Sequence, residues 1–341
     1  MRIAVCRPQV PFVYGGAELV ADQLTAQLRT RGHTAEVVTV PFKWYPGTRV
    51  LDQAFVWRLL DLTEADGHRI DLVITTKFPS YAVRHPNKVI WLVHQLRQAY
   101  DYDHTELGQF SDSPEDRATR LAVERFDRVA FSEARKVFTI SGNVANRLEH
   151  YLGVPAEVLF PPPQDLDFHT NGYEDFVLSV NRLDRAKRSD LLIEAAKSDP
   201  ALQVVIVGDG PDRERLERLA SEVNGRIEFT GRVDGERLAD LYARCLALYY
   251  APIDEDYGIA PYEAFLSEKP VVTTVDAGGP LEIVRDGRTG LVVKPDAAEI
   301  ARACTQLLRN RDEAEALGRA GKLVAERVTW DHCIDRLLSH A

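Results

Sequence analysis

Phe176-Val177-Leu178-Ser179-Val180-Asn181-Arg182-Leu183-Asp184-Arg185-Ala186-Lys187-Arg188-Ser189 reads as a strand ending near Asn181, a basic turn, and a helix starting near Ser189. The apolar, β-branched run has no alternation, as expected of a strand buried on both faces. A second strand, Val204–Val207, follows after a helix-length interval and enters the turn Gly208-Asp209-Gly210-Pro211. Strand, helix and strand in this order make a parallel unit. The rhythm continues with strands at Ile227–Thr230, Leu246–Tyr250, Val271–Val275 and Leu291–Val293. Upstream it gives Arg2–Cys6, Glu36–Val40, Asp71–Thr75, Val89–Val93 and Val137–Ile140. A helix over Ala17–Thr30 has Leu19, Val20, Leu24 and Leu28 at helical spacing, with Gly32 as its cap. Another opens at Ser113-Pro114-Glu115-Asp116 and runs to about Arg135.

Pro161-Pro162-Pro163 cannot continue a helix or a central strand and is read as a stiff linker. The expected division is 1–163 and 164–327, the final helix over 328–341 packing back on the first domain. The chain has 341 residues, enough for two domains of ordinary size. Two doubly wound α/β domains would present the carboxyl ends of their sheets to an interdomain cleft, where such folds bind ligands.

The net charge of −10 disfavours a general nucleic-acid binder. Residues 1–165 hold 19 Lys+Arg against 20 Asp+Glu and the remainder 23 against 32, so an anionic ligand must be met by particular cations. No apolar run is long enough for a transmembrane helix, and Met1–Cys6 passes directly into a strand without a signal-peptide core. Cys6, Cys245, Cys304 and Cys333 are scattered, which suits reduced, buried thiols in the cytoplasm.

Four segments carry chemistry. Arg182 and Lys187 lie beyond a strand end, as a solvated basic turn or as a cradle for a diphosphate. Gly208-Asp209-Gly210 is a structural turn or a place of close backbone approach, with Pro211 suited to the first helical position. Ala251-Pro252-Ile253-Asp254-Glu255-Asp256-Tyr257-Gly258-Ile259-Ala260-Pro261-Tyr262-Glu263 places a loop before a helix N-terminus, whose N–H groups favour phosphate. There Glu263 could accept from ribose hydroxyls and Glu255 from a sugar hydroxyl. Gly278-Gly279-Pro280-Leu281-Glu282 is a further glycine turn.

Arg182 with Lys187, the Gly208–Gly210 turn, Glu255-x7-Glu263 and Gly278-Gly279-x-x-Glu282, taken in order, resemble the donor domain of retaining GT-B glycosyltransferases of family 4 (group 1). The first half is similar more loosely, through Tyr14-Gly15-Gly16-Ala17-Glu18 and the strand-end His94. Trp330 fits a last helix that returns to the first domain. The resemblance implies that Arg182 and Lys187 bind the donor diphosphate and Glu263 the ribose. Glu255, Tyr257 and the Gly258–Ile259 backbone would hold sugar and phosphate. Gly15 and Gly16 would admit the phosphate, His94 would sit by the sugar, and the base would lie near Arg232 and Val233. Departures are Asn181 where Gly is common, Arg188 where Gly often follows the Lys, and Asp256-Tyr257 in place of Gly-Phe.

The implied reaction is retaining hexosyl transfer from a UDP- or GDP-sugar co-substrate to a glycan, glycolipid or small-molecule acceptor, with no cofactor or metal required. The acceptor would be sugar-containing or lipid-linked, which leaves room for peripheral membrane contact. Tyr100–Asp116 has six acidic residues and no Lys or Arg, so it is read as a solvated lid or a preference for cationic acceptors, with Arg97, Tyr100, Asp101 and Asp103 on the acceptor side. Asp101-x-Asp103, Asp165-x-Asp167 and Asp254-x-Asp256 match a metal-binding pattern too cheap to carry weight. Alternatives are a nucleotide-sugar-binding protein without transfer, an epimerase or phosphorylase on the same architecture, and a glycosidase pair formed by Glu255 and Glu263.

Overall fold

A computed structural model describes every residue except His104, Glu106, Asn224 and Ala341. Glu106 of the acidic stretch and the last residue of the expected 328–341 helix are therefore outside the described residues. The chain forms two compact units, Met1–Pro161 with Thr329–Ala341, and Pro162–Val328.

In the first unit the elements run β1 (Arg2–Gln9), α1 (Gly16–Thr30), β2 (Thr34–Pro41), α2 (Val50–Leu59), the short hairpin β3 (Glu64–Ala65) and β4 (His68–Arg69), β5 (Leu72–Lys77), β6 (Lys88–His94), α3 (Pro114–Ser132), β7 (Lys136–Thr139), α4 (Gly142–Leu152) and β8 (Glu157–Val158). Six strands make a parallel sheet in the order β2-β1-β5-β6-β7-β8. β1 outruns its expected end because Arg7, Pro8 and Gln9 pair with β2 alone, so the missing N–H of Pro8 costs no bond on the β5 side. α1 buries Val20, Ala21, Leu24 and Leu28 on one face. Ser113 caps α3 by accepting the Asp116 N–H at 3.1 Å. α3 stops at Ser132, short of Arg135, because the Arg135 N–H already bonds to the Lys88 carbonyl at 2.8 Å in the approach to β7.

The second unit contains β9 (Phe176–Val180), α5 (Ser189–Ser198), β10 (Gln203–Val207), α6 (Arg213–Ala220), β11 (Ile227–Gly231), α7 (Gly235–Arg244), β12 (Ala247–Tyr249), α8 (Ala260–Leu266), β13 (Val271–Thr274), β14 (Gly290–Val293), α9 (Ala297–Arg309) and α10 (Arg311–Ala325). Its strands are all parallel, in the order β11-β10-β9-β12-β13-β14. The core includes Val177, Leu192, Ile193, Val204, Ile206, Ala247, Tyr249, Val272, Ile300 and Leu307. Pro211 is not the first helical residue: Asp212 is the N-cap of α6, and its own N–H is held by the Leu183 carbonyl at 3.0 Å.

The last helix, α11 (Trp330–Leu338), belongs to the first unit. Trp330 meets Trp91 edge-to-face at 6.3 Å, and Arg336 forms a bidentate pair with Glu157 at 2.7 and 2.8 Å. Arg31 pairs with Asp331.

Helix α10 seats on the turn after α8 through Gly318. A Cβ there would land on the Glu268 carbonyl oxygen, far inside van der Waals contact. Gly318→Ala is expected to lower stability by about 2 kcal/mol or more, read as a drop in the urea midpoint at unchanged m-value.

Candidate active site

The second sheet reverses its strand order between β9 and β12, so the connections leaving those strands diverge to opposite faces. Open α/β sheets bind ligands at that switch point, outside the carboxyl ends of the strands. The loops there are Asn181–Arg188, after β9, and Tyr250–Ile259, after β12.

These loops are held by backbone hydrogen bonds to one another. The Asn181 N–H donates to Val207 and the Leu183 N–H to Asp209, both at 3.1 Å. Gly208, at φ 128°, makes this approach feasible, since a Cβ would sit on the Asn181 carbonyl oxygen. The Ile253 N–H reaches Ala186 at 2.8 Å. Asp254 and Glu255 donate to Asp276 and Ala277 at 2.9 and 2.8 Å, and the Glu255 carbonyl accepts from Gly279 at 2.8 Å. The third and fourth sequence segments are thereby joined into one ledge.

On this ledge Lys187 and Glu255 form an ion pair, with side chains 19% and 22% exposed. Burial alone would favour loss of the Lys187 proton; Glu255, with Tyr250 and Asp184, reverses this and holds the ammonium above its ordinary pKa. Lys187 is thus a fixed cation. Arg182 is half-exposed, with Nε 3.9 Å from Asp184. Burial raises the Asp184 carboxyl, against the pull of Lys187 and Arg182. Glu263, on α8, is buried: its two oxygens accept from Gln164 Nε2 and the Tyr242 hydroxyl, each at 2.9 Å. Its pKa is raised by burial, which these two bonds only partly offset. Tyr257 stacks on Tyr262 at 4.8 Å. Gly258 and Ile259 lead directly into α8, and Arg232 and Val233 follow β11, whose Gly231 carbonyl accepts from the Gly208 N–H at 2.9 Å.

The remaining expected residues belong to the first unit. Gly15 is the N-cap of α1, its N–H bonded to the Glu18 carboxylate at 3.0 Å, and Gly16 begins the helix with open space beside it. His94 ends β6, with Nδ1 2.7 Å from the Gln95 carbonyl. Arg97 donates to Asp101 at 2.8 Å, Arg147 approaches the same carboxylate at 3.3 Å, and Asp103 pairs with Arg120. The Tyr100 hydroxyl is spent on buried Asp127, which also accepts from Tyr81, at 2.7 and 2.8 Å. Asp101 and Asp103 are therefore compensated by arginines from outside the acidic stretch, and do not form an open acidic field.

Residues 167–324 match the family model described as Glycosyl transferases group 1. The matched stretch is a little under half of the chain. It holds the whole ledge around Lys187 and Glu255. A D-inositol 3-phosphate glycosyltransferase of Nocardia farcinica is 34% identical over 180 residues, covering 48% of this chain and 40% of that protein. The chain spans about half the length of the curated relatives it matches. Among solved structures, sucrose-phosphate synthase from Thermosynechococcus elongatus has a TM-score of 0.77 at 21% identity, covering 98% of this chain and 97% of that one. Anabaena HepE in complex with UDP and glucose has a TM-score of 0.72 at 18% identity, covering 100% of both chains. These likenesses run through both units and give the chain the GT-B fold of paired Rossmann-like domains.

The structure brings Arg182, Lys187, Glu255, Gly258 and Ile259 to one edge of the second unit's sheet. It assigns Gly208 and Gly210 to loop packing, because a Cβ on either would strike the Asn181 or the Leu183 carbonyl. Sequence reasoning missed Tyr242 and Gln164 as the partners of Glu263, and the Lys77–Glu18 pair at 2.6 Å in the first unit. A lysine at a strand end was the only signal for the latter.

Burial raises the Asp127 carboxyl to about 7, although the Tyr100 and Tyr81 hydroxyls favour its ionised form. The folded state then keeps a proton that the unfolded state has lost, so stability falls as pH rises from about 4 to about 7. Asp127→Asn should remove this component. Melting temperatures across that range should show the wild type losing ground relative to the variant; parallel curves would contradict the assignment.

Proposed function

We propose that the chain is a retaining hexosyltransferase that takes its sugar from a nucleoside-diphosphate donor. The observation that carries this reading is the Lys187–Glu255 pair at the switch point of the second unit's sheet, beside Arg182. A diphosphate entering there would draw Lys187 away from Glu255, leaving that carboxylate to accept from sugar hydroxyls. As the glycosidic bond breaks, positive charge grows on the sugar ring and negative charge on the leaving phosphate. A permanently charged Lys187 and the Arg182 guanidinium favour that second charge. In the retaining course the departing phosphate oxygen accepts the acceptor's hydroxyl proton while the new bond forms on the same face.

We assign the leaving-group charge to these two cations rather than to a metal. HepE was captured with UDP and glucose, which supports UDP as the first donor nucleotide to test, with GDP beside it. The Nocardia relative is named for transfer to D-inositol 3-phosphate, so polyol and sugar acceptors, free or lipid-linked, are the class to screen. Ribose binding by Glu263 would use the second lone pairs of oxygens already bonded to Gln164 and Tyr242. His94, Gly15, Gly16, Tyr257, Arg232 and Val233 keep the roles the resemblance implies. All four cysteines are buried and unpaired, which supports a reducing, cytoplasmic setting. Among the described residues no helix is long and apolar enough to cross a membrane.

Thermal stabilisation by UDP, GDP and their sugars, with and without EDTA, tests the reading. A matching diphosphate at 100 times its Kd adds about 2.7 kcal/mol. That gain should survive EDTA and disappear in Lys187→Ala, with kcat/KM falling about 100-fold or more once an acceptor is found. Binding without turnover across the acceptor class would favour the non-catalytic reading, and loss of the gain in EDTA would restore a metal.

A further inference from the structure

Arg188 follows Lys187 and stands where the family resemblance commonly has Gly. Its backbone shows why glycine suits the place: φ is 50° and ψ 40°, the left-handed region that burdens any residue with a Cβ. This chain keeps arginine there, and the side chain is far from idle. Nε donates to the Ala251 carbonyl at 2.9 Å and Nη2 to the Pro252 carbonyl at 2.8 Å. The fork grips Asp276 at 2.8 and 3.0 Å, and Nη2 also reaches Thr274 Oγ1 at 3.2 Å. The Arg188 carbonyl in turn accepts from the Tyr249 hydroxyl at 2.8 Å. The side chain is 12% exposed.

Those partners lie at two strand ends, and Arg188 itself lies beyond a third. Ala251 and Pro252 start the loop that carries Glu255. Thr274 and Asp276 mark the end of β13 and the start of the segment to which Asp254 and Glu255 donate their N–H groups. Arg188 itself closes the turn that carries Lys187. One guanidinium therefore bridges the three segments that flank Lys187 and Glu255, beside the direct backbone bond from Ile253 to Ala186. Burial pushes the Asp276 carboxyl up, and the bonds from Arg188 and Thr274 bring it below its ordinary value, so the grip is ionic at neutral pH.

We infer that Arg188 is a positioning residue of the donor-diphosphate site: it holds the Lys187 turn to the Glu255 loop, at the expense of a strained backbone that glycine would relax. This rests on the donor reading proposed above. Glycine would accept the backbone and remove all five side-chain bonds. Stability and ligand affinity should therefore separate on substitution, which a merely structural arginine would not produce.

The test uses the full chain as wild type, Arg188→Gly, Arg188→Lys, Asp276→Asn and the Arg188→Gly/Asp276→Asn pair. Affinity for UDP and GDP is measured calorimetrically, unfolding midpoints in urea, and hydrogen exchange in the 251–258 segment without ligand. In Arg188→Gly we expect a urea midpoint no lower than wild type, a diphosphate affinity about tenfold weaker, and faster exchange confined to 251–258 and its partner loop. Arg188→Lys keeps the charge without the fork and should also bind weakly. The double variant should lose less than the sum of the two single losses. Affinity within about twofold of wild type in Arg188→Gly, or affinity and stability falling together, would overturn the proposal. If wild type binds neither diphosphate, the donor reading fails and takes the donor role of Arg188 with it. Exchange still decides the clamp separately, since an unchanged 251–258 segment would show that Arg188 holds nothing.

Discussion

Loops at the carboxyl edge of the second sheet bond to each other before they can bond to anything else. Buried N–H and C=O groups must find partners, and here the partners are neighbouring loops: Asn181 with Val207, Leu183 with Asp209, Ile253 with Ala186, Glu255 with Ala277. Side-chain chemistry is built on that lattice. Lys187 and Glu255 meet because the backbones beneath them are fastened, although they are 68 residues apart in sequence. Gly208 and Gly210 serve the same lattice, since carbonyl oxygens occupy the space a Cβ would need.

The ion pair gains its chemical meaning from this rigidity. A lysine on a loose turn would be a solvated point charge, worth little at a surface. Held at the switch point next to Glu255, it is a cation with a defined place and a partner that an anion can displace. Glu263 shows the opposite arrangement. It is buried on α8, each of its oxygens accepting one bond, from Gln164 and from Tyr242.

The parallel strands were legible because buried strands write continuous apolar, β-branched runs, and the structure places all eleven expected runs within strands or at their ends. Helix α2 was not. Its apolar residues, among them Val50, Leu51, Ala54, Phe55, Val56, Trp57 and Leu59, surround the axis, so no helical stripe stands out. In the site, charged residues after strand ends could be named from their order along the chain. Their bonding could not, because it depends on residues far away: Tyr242 for Glu263, Arg120 for Asp103, Asp276 for Arg188. Pro211 was misplaced for the same reason, since the Leu183 carbonyl that shifts the helix start lies in a different loop.

The closing helix, Trp330–Leu338, has a consequence for how the chain matures. The first unit is assembled from two separated stretches, Met1–Pro161 and Thr329–Ala341, whereas the second is one uninterrupted run. During synthesis the first unit emerges early but lacks the helix that covers Trp91 and pairs with Glu157 and Arg31. It must wait, with that surface uncovered, until the whole second unit has been made. The later-born half is thus the earlier one able to finish folding, reversing the usual order in which domains complete themselves on the ribosome.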